Sequence, residues 1–528
     1  MGARMLNPAD DAPLGTTVAI IDLGSTSFHA LVCEVDADGF VLPLARDRDT
    51  LHLGGAVGRT GGIDPDHLAQ AVQSIGRLHH LASQLPTTHL RVVATSAIRD
   101  ASNSAEVLDA LEQRISHPIQ VLSGADEARY AFFGQLGAVT GGRGPRLAMD
   151  IGGGSLELAV GTPQLGPSHV LSLPLGASRM ASRFVAHDPG TPAEFDALRA
   201  EVARICETIP EAFRSSDHIV CSGGTTRAIA RYYAADRWGD VPASVNQTVI
   251  SRKSLAKLDA RWQGTTRKQR LRLPGVEERR VDVLAVGVAV LNELCASLDI
   301  KTLIVSDHGM REGLALEAAG LISADGAPSP ALADPRATGV EHLHRQFPTD
   351  RAHGDHVARL AMEIFSGVAK PLGIKRSWRH VLWAGAQLHD IGTALHLSGH
   401  HRHGAYLVEN ALLPGFSPSD IAAIASIVRF HKGSGPKTSF PAWTRVEQQR
   451  IVEQLIGIVR VADALDRNRT QKVELSRVTV SHARITLHVH PGELDTEVLA
   501  DLDLKTDVLA RACDREVVVK ILEPGALH

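Results

Sequence analysis

Two carboxylates flank a glycine-rich turn in residues 146–160, RLAMDIGGGSLELAV. Asp150 ends a short apolar run, and Glu157 stands where apolar alternation resumes. Glycine allows the backbone to approach a ligand closely, and successive amides in such a turn form an anion-binding concavity. The acids would repel an anion a few ångströms away by several kcal/mol at an effective dielectric of about 20. A divalent cation held through oxygens and waters, as Mg²⁺ is, resolves this conflict. The turn itself comprises Gly152, Gly153, Gly154 and Ser155.

An earlier stretch repeats this pattern. Residues 19–35, AIIDLGSTSFHALVCEV, contain an apolar strand, a turn and a second apolar strand. Each stretch is typical of a β-hairpin, and the repeat predicts two related lobes whose facing turns could hold a phosphate. A single glycine turn is usually a structural connection, but two copies and a further acid favour a functional site. The polar and glycine residues of this earlier copy are Asp22, Gly24, Ser25, Thr26 and Ser27.

The surrounding elements divide the chain into an α/β part and a helical part. Strand-like and helical patterns alternate as far as about residue 322, which predicts two α/β regions. Residues 323–335, SADGAPSPALADP, lack periodicity and indicate a linker. The pattern is then helical, and the chain ends in a strand-rich tail with one helix. The predicted domains are lobe I over residues 1–140, lobe II over 141–322, a helical domain over 336–470 and a small C-terminal α+β domain over 471–528.

Composition indicates a multidomain globular protein, since the chain has 528 residues, 44% of them hydrophobic and 22% charged. The net charge of -4 gives no basic field, which argues against duplex nucleic acid as a partner. The five cysteines lie far apart and form no Cys-x-x-Cys pair, which fits reduced thiols in a cytosol. The N-terminal MGARMLNPADDAPLG has no long apolar stretch. We therefore expect a cytoplasmic protein with no signal peptide, membrane anchor or membrane partner.

Seven blocks in order give the chain a family resemblance: IDLGSTSFHAL, VVATSAIRDASNS, VLSGADEARYAFFG, MDIGGGSLEL, LPLGASRM, CSGGTTRAIA and SDHGMREG. This set resembles the exopolyphosphatase/guanosine pentaphosphate phosphatase family over about residues 17–320, with a weaker match beyond. Seven ordered blocks are far more specific than any single glycine motif. The resemblance implies a two-lobed actin-like, sugar-kinase-like fold with the active site between the lobes.

The resemblance also implies roles for individual residues. Glu127 would lie near the attacking water, and Asp150 and Glu157 would hold Mg²⁺ and orient the water. Arg99 matches the family's cleft arginine, and a guanidinium suits bidentate phosphate binding. The residues themselves leave alternatives open: Glu127 could be a helix-capping acid, with Asp126 before it, and Arg99 could form a surface ion pair. The glycine block adds Gly223, Gly224 and Thr225 to the phosphate-binding residues.

Two positions depart from the family pattern. The family usually has Asn where Thr26 stands and more often has Thr than Leu at Leu156. A leucine cannot donate a hydrogen bond, so these departures affect the expected substrate preference more than the expected chemistry.

Residues 251–280 are the most basic stretch of the chain and could guide a polyanion. A solvated helix or loop is the commoner explanation of such a stretch.

The helical region contains a second constellation. His353, His389, Asp390 and Asp463 match the four motif positions of the HD-type metal-dependent phosphohydrolase domain, which this region resembles, and imidazole and carboxylate suit a divalent metal. His356 competes with His353 as the first ligand. A second ion could be bound by further histidines, which are equally common as surface or core residues. These are His396, His400, His401, His403 and His431.

The predicted function is that of a Mg²⁺-dependent exopolyphosphatase that removes terminal orthophosphate from polyphosphate, and a homodimer is expected. Within the family, hydrolysis of guanosine pentaphosphate to tetraphosphate is the nearest alternative. An HD-type nucleotide phosphohydrolase regulated by the actin-like part is a second alternative. A non-catalytic polyphosphate or alarmone sensor is a third.

Overall fold

The computed structural model describes residues 15–141, 144–433, 435–436, 446–490 and 505–522. Outside these residues lie the N-terminal segment predicted to have no signal peptide, the centre of the GGRGP turn and part of the predicted 471–528 domain. Two compact units divide the chain, Met1–Thr338 and Gly339–His528. Within the described residues, no helix is long and apolar enough to span a membrane.

Within the described residues, the first unit contains two mixed sheets, of five and six strands, that share an arrangement of five strands. In each sheet an antiparallel meander of three strands is extended by two strands parallel to its first strand, and the second sheet has one further antiparallel strand at its edge. The first sheet, in the order β3-β2-β1-β4-β5, consists of β1 (Gly15–Leu23), β2 (Ser27–Asp36), β3 (Val41–Thr50), β4 (His89–Ala94) and β5 (Gln120–Val121). The second sheet, in the order β10-β11-β9-β6-β7-β8, consists of β6 (Arg146–Ile151), β7 (Leu156–Thr162), β8 (Gly166–Leu173), β9 (His218–Ser222), β10 (Val249–Ser251) and β11 (Thr302–Val305).

Strand register places the two predicted acids at equivalent points. Asp22 of β1 pairs with His29 of β2, and Asp150 of β6 pairs with Glu157 of β7. Both turns therefore lie at the same end of their hairpins, as the sequence repeat predicts. The two copies differ in the partner, which is an imidazole in one and a carboxylate in the other.

Helices cover both sheets of the first unit. The apolar VDVLAVGVAVLNELCAS segment is buried because five other helices pack around it. The helices are α1 (Leu53–Thr60), α2 (Pro65–Ser83), α3 (Ser96–Arg99), α4 (Ser104–Ile115), α5 (Gly124–Leu136), α6 (Ala177–Phe184), α7 (Pro192–Glu207), α8 (Gly224–Trp238), α9 (Arg252–Gln263), α10 (Arg267–Arg270), α11 (Val281–Ser297), α12 (Met310–Ala318) and α13 (Pro335–Gln346), the last of which continues into the second unit.

Helices α5 and α12 cross between the two sheets. The α5 helix follows the strands of the first sheet in sequence but packs on β6, β7 and β8. The α12 helix follows the second sheet but packs on β1, β2 and β3. Glycines allow the two helices to touch, since a Cβ at Gly134 would lie 2.0 Å from the Gly309 carbonyl oxygen and one at Gly313 would lie 1.9 Å from that of Tyr130.

Gly313→Ala is expected to destabilise the first unit by about 1–3 kcal/mol, because the added methyl group meets backbone that must move. Urea unfolding measures this change. Gly264→Ala is the matched control, since a Cβ there meets nothing within 4 Å. Equal stability of both variants and the parent would show that the helices do not cross this closely.

The predicted linker is packed rather than extended. Within residues 323–335, Pro330–Ala333 form a 3-10 turn and Leu332 is buried. The Leu332 side chain packs next to Gly39 of the same unit. The apolar Leu332 within a Pro-rich segment was the sequence signal for this packing.

The second unit is helical with one three-stranded sheet, and a single hydrophobic core includes residues from both. The helical segment to residue 470 and the strand-rich segment after it, predicted as separate domains, therefore lie in one compact unit. Its helices are α14 (Arg351–Val368), α15 (Arg379–Gln387), α16 (His400–Asn410), α17 (Pro418–Phe430), α18 (Val446–Leu465) and α19 (Asp507–Cys513). Its strands, in the order β12-β13-β14, are β12 (Glu474–Val480), β13 (Arg484–His490) and β14 (Glu516–Ile521).

Candidate active site

The two hairpin turns touch each other at the floor of a cleft between the sheets. Thr26 Oγ1 in the first turn lies 2.9 Å from Ser178 Oγ on α6 of the second lobe, and a Cβ on Gly154 of the second turn would lie 2.7 Å from Ser25 Oγ. A Cβ on Gly153 would lie 2.1 Å from Thr26 Oγ1. Only a residue without a side chain fits there, so the glycines of the second turn let the two lobes approach each other.

Four predicted acids line this cleft: Asp22, Glu127, Asp150 and Glu157. Ser222 donates a hydrogen bond of 2.7 Å to Asp150 Oδ2, and Ser172 donates one of 3.0 Å to Glu157 Oε1. These hydroxyl groups fix the carboxylates but do not neutralise them.

Burial dominates the ionisation of these acids. It raises the pKa of Asp22 to about 6, against the opposing effect of Arg311. It also raises the pKa of Asp150, although Ser222 acts in the other direction. Burial and the neighbouring Glu127 raise the pKa of Glu157 well above its usual range. The groups that line the cleft therefore do not fully stabilise the ionised forms of these three acids.

Glu127 is a cleft residue, and its neighbour Asp126 is the capping acid. Ser123 caps α5, and the Asp126 carboxylate completes the capping box by accepting a hydrogen bond from the backbone N–H of Ser123. The Glu127 side chain is buried and accepts a hydrogen bond of 2.6 Å from Arg99. Burial raises the pKa of Glu127 to about 7, with Arg99 opposing the rise. A carboxyl group with this pKa is suited to accept a proton near neutral pH.

Arg99 is occupied by protein groups. Its Nη1 atom donates to Glu127 and to the Leu122 carbonyl oxygen, both at 2.6 Å, and its Nε lies 3.6 Å from Asp100. Arg99 is not among the cleft-lining residues of the described chain, whereas the carboxylate it holds is. The structure thus places Arg99 behind Glu127, where it orients the acid.

Three arginines that the sequence interpretation did not single out line the cleft: Arg227, Arg280 and Arg311. Burial and the other arginines lower the pKa of Arg280 to about 10, so three cations share a confined volume. Arg227 and Arg311 stand within the CSGGTTRAIA and SDHGMREG blocks, each a few residues after a glycine turn. Arg280 is the last residue of the basic 251–280 stretch, so one end of that stretch reaches the cleft.

Two further cleft residues were missed by sequence analysis. Burial and several nearby arginines lower the pKa of His29 well below its usual range, so its imidazole is neutral. Burial opposes ionisation of Glu312, but His308, Arg311 and Arg46 outweigh it and lower the pKa of Glu312 to about 2. His29 occupies the register position that Glu157 occupies in the second lobe, which is the signal that could have identified it.

The residues present fit a divalent cation. The buried Oδ1 atom of Asp22 has no hydrogen-bond partner in the described chain. Asp22 and Asp150 are the penultimate residues of the equivalent strands of the two lobes, and the charge of Asp150 contributes to the raised pKa of Asp22. Hard carboxylate oxygens are the ligands that Mg²⁺ takes, together with waters and phosphate oxygens.

Nearly all the predicted residues of the first unit lie together. Thr225 is fully buried and faces Gly287 of α11, where it is not among the cleft-lining residues. The predicted residues that line the cleft are Asp22, Gly24, Ser25, Thr26, Ser27, Glu127, Asp150, Gly152, Gly153, Gly154, Ser155, Glu157, Gly223 and Gly224.

A duplicated α/β architecture, with acids and arginines lining one cleft, is that of a phosphatase with the actin-like fold. The chain belongs to the Ppx/GppA phosphatase family. The family model matches residues 31–321, and that of Ppx/GppA phosphatase domain III matches residues 336–508.

Three solved structures are similar to this chain. An exopolyphosphatase-like protein is 26% identical, with a TM-score of 0.51, 58% of this chain covered and 98% of the other. An exopolyphosphatase from Cytophaga hutchinsonii is 22% identical, with a TM-score of 0.54, 59% of this chain covered and 100% of the other. The Ppx/GppA family member from Aquifex aeolicus is 26% identical, with a TM-score of 0.49, 57% of this chain covered and 97% of the other.

Proposed function

We propose that this chain is a Mg²⁺-dependent exopolyphosphatase that hydrolyses the terminal phosphoanhydride bond of inorganic polyphosphate. The observation that carries the proposal is the buried Glu127, held by Arg99 at 2.6 Å, in a cleft lined by further acids and three arginines. The cleft therefore contains both a proton acceptor and cations that suit a phosphate chain.

In the proposed reaction, the carboxylate of Glu127 accepts a proton from water as the water oxygen attacks the terminal phosphorus. The bond from that phosphorus to the bridging oxygen breaks, and the electron pair leaves with the shortened chain. Arg227, Arg280 and Arg311 stabilise the charge that develops on the phosphate oxygens. A Mg²⁺ ion held by Asp22, Asp150 and Glu157 would supply further charge neutralisation.

Orthophosphate release from long-chain polyphosphate and from guanosine pentaphosphate, measured side by side with Mg²⁺, tests the proposal. Because three arginines line the cleft and guanidinium groups bind phosphate oxygens, we expect the larger kcat/KM with polyphosphate. A preference for guanosine pentaphosphate would instead assign the chain to the family's other activity. Tight binding of either compound without phosphate release would identify a sensor.

We also propose that the second unit, which matches family domain III, is an HD-type domain with a metal bound by His353, His389, Asp390 and Asp463. The convergence of His353, His389 and Asp463 supports it, because their ligand atoms all lie within 4.8 Å of one another. His356 instead accepts a hydrogen bond from Arg359 at its Nδ1.

The setting we propose is the cytoplasm, with the chain acting as a homodimer. All five cysteines are buried and unpaired, which supports a reducing compartment.

A further inference from the structure

A buried glutamine lies behind the candidate active site. Gln135 stands in the last turn of α5, at the opposite end of this helix from Glu127, and its side chain is fully buried. It is not among the cleft-lining residues of the described chain. Its Nε2 atom donates one hydrogen bond of 2.9 Å to the Met149 carbonyl oxygen and another of 2.9 Å to Ser222 Oγ. These two bonds use both N–H donors of the amide.

The orientation of this amide follows from its partners. The Met149 carbonyl oxygen accepts hydrogen bonds and cannot donate them, so the atom that faces it is the amide nitrogen. The amide oxygen Oε1 of Gln135 is then buried and makes no hydrogen bond within the described chain. A buried acceptor without a donor costs stability, and an apolar side chain of similar size would avoid that cost. A polar residue that costs stability is expected mainly where function requires it.

The Ser222 hydroxyl group transmits this orientation to Asp150. A hydroxyl group has one proton to donate and two lone pairs. Because the Gln135 amide donates to Ser222 Oγ, one lone pair is occupied and the proton is directed at an acceptor. Two acceptors are within reach, Asp150 Oδ2 at 2.7 Å and the Met149 carbonyl oxygen at 3.4 Å. The carbonyl oxygen is the more distant of the two and already accepts from Gln135, so the proton goes to the carboxylate.

Strand register places the donor and the acceptor side by side. Asp150 of β6 and Ser222 of β9 are paired residues on neighbouring parallel strands, so their side chains project from the same face of the sheet. The α5 helix packs on both strands, which brings Gln135 to this face. One helix therefore carries Glu127 at one end and, at the other, the amide that contacts Ser222.

We infer that Gln135 is a positioning residue for Asp150 and acts through the Ser222 hydroxyl group. The amide directs the hydroxyl proton to Oδ2 of Asp150 and so holds the carboxylate in one orientation. This inference deepens the proposed function and rests on it, because the orientation of Asp150 matters to the reaction through the binding of Mg²⁺. Without the Gln135 amide, the hydroxyl group is free to turn towards the Met149 carbonyl oxygen, and the carboxylate is held less firmly.

Isothermal titration of the full chain with Mg²⁺ tests this role. The Mg²⁺ binding that is lost in Asp150→Asn identifies the cleft site. We expect Gln135→Met and Ser222→Ala each to raise the dissociation constant of this site about tenfold, since changes behind a metal ligand weaken metal binding by about 10- to 100-fold. The Mg²⁺ concentration that half-saturates turnover should rise by the same factor.

The matched control is a glutamine that contacts a buried acid elsewhere. Gln263 donates a hydrogen bond of 2.8 Å to Asp259, which is buried and lies outside the cleft. Gln263→Met removes the same kind of bond and should leave the dissociation constant for Mg²⁺ at the parent's value. Circular dichroism establishes that each variant is folded, and Gln135→Leu repeats the measurement with a second apolar side chain.

A double-mutant cycle distinguishes action through Ser222 from a general effect on the fold. If Gln135 acts through Ser222, the variant with both Gln135→Met and Ser222→Ala binds Mg²⁺ no more weakly than Ser222→Ala alone. Independent effects would multiply to about 100-fold and would overturn the inference.

The failure of this inference can be told apart from the failure of the proposed function. Parent-like Mg²⁺ binding in Gln135→Met and Gln135→Leu would overturn the role of Gln135 and leave the assignment of Asp150 intact. Unchanged Mg²⁺ binding in Asp150→Asn would instead overturn the metal site of the proposed function, and the role of Gln135 with it.

Discussion

Glu127→Gln lowers kcat for phosphate release by about 10²-fold or more, while polyphosphate binds as well as to the parent or more tightly. Glutamine keeps the size of the side chain and an oxygen that can accept from Arg99, but it cannot take a proton from water. Removing one negative charge from the cleft also favours binding of the polyanion. Single-turnover kinetics and equilibrium binding separate the two effects.

The matched control is the adjacent acid. Asp126 forms the capping box of α5 with Ser123, so Asp126→Asn should cost on the order of 1 kcal/mol of stability and leave kcat unchanged. If Glu127→Gln behaved in the same way, Glu127 would be removed from the mechanism. Water activation would then fall to Asp150 or Glu157.

The acid limb of the pH profile gives a second readout of the same variant. A general base must be ionised, and burial raises the pKa of Glu127 to about 7. The parent's kcat/KM should therefore rise with pH up to about 7 and level off above it. In Glu127→Gln this limb should be lost, whereas a purely structural role would leave the shape of the profile intact.

Asp150→Asn is expected to abolish most Mg²⁺-dependent turnover, with a loss of about 10²-fold or more, while the protein remains folded. The amide preserves the shape of the side chain and can still accept from Ser222, but it removes the charge that a cation requires. A titration of activity with Mg²⁺ should show that saturation is shifted to higher concentration or lost.

A buried acid outside the cleft provides the control for Asp150. Asp259 is buried and paired with Arg199 at 3.0 Å. Asp259→Asn should lower thermal stability without changing the Mg²⁺ dependence of turnover. Near-normal turnover in Asp150→Asn would contradict its assignment as a metal ligand.

The paired hairpins could be predicted from sequence because their signal is local. Apolar alternation, glycines and an acid at the same place in each copy define a strand, a turn and a strand without reference to the rest of the chain. The structure adds the contact of the two turns, which depends on how the two sheets are placed.

The function of Arg99 and the cleft arginines could not be assigned in this way. Arg99, Arg227 and Arg311 all stand in recognisable blocks, and a guanidinium suits phosphate wherever it occurs. Which of them faces the cleft depends on contacts between segments distant in sequence, such as the contact of Arg99 with Glu127, 28 positions further on. Conversely, the adjacency of His389 and Asp390 concealed that Asp390 groups with His400 and His431 rather than with the other three predicted ligands.

The crossing of α5 and α12 affects how the protein is made. The face of the first sheet that α12 covers remains open until residues 310–318 have been synthesised, although β1 and β2 were completed much earlier. At about 5–20 residues per second, the interval between the end of α5 and the start of α12 is on the order of 10–30 seconds. During that time an apolar surface of a nascent chain is available to chaperones and to other chains. The first lobe therefore cannot finish folding before the second has been translated.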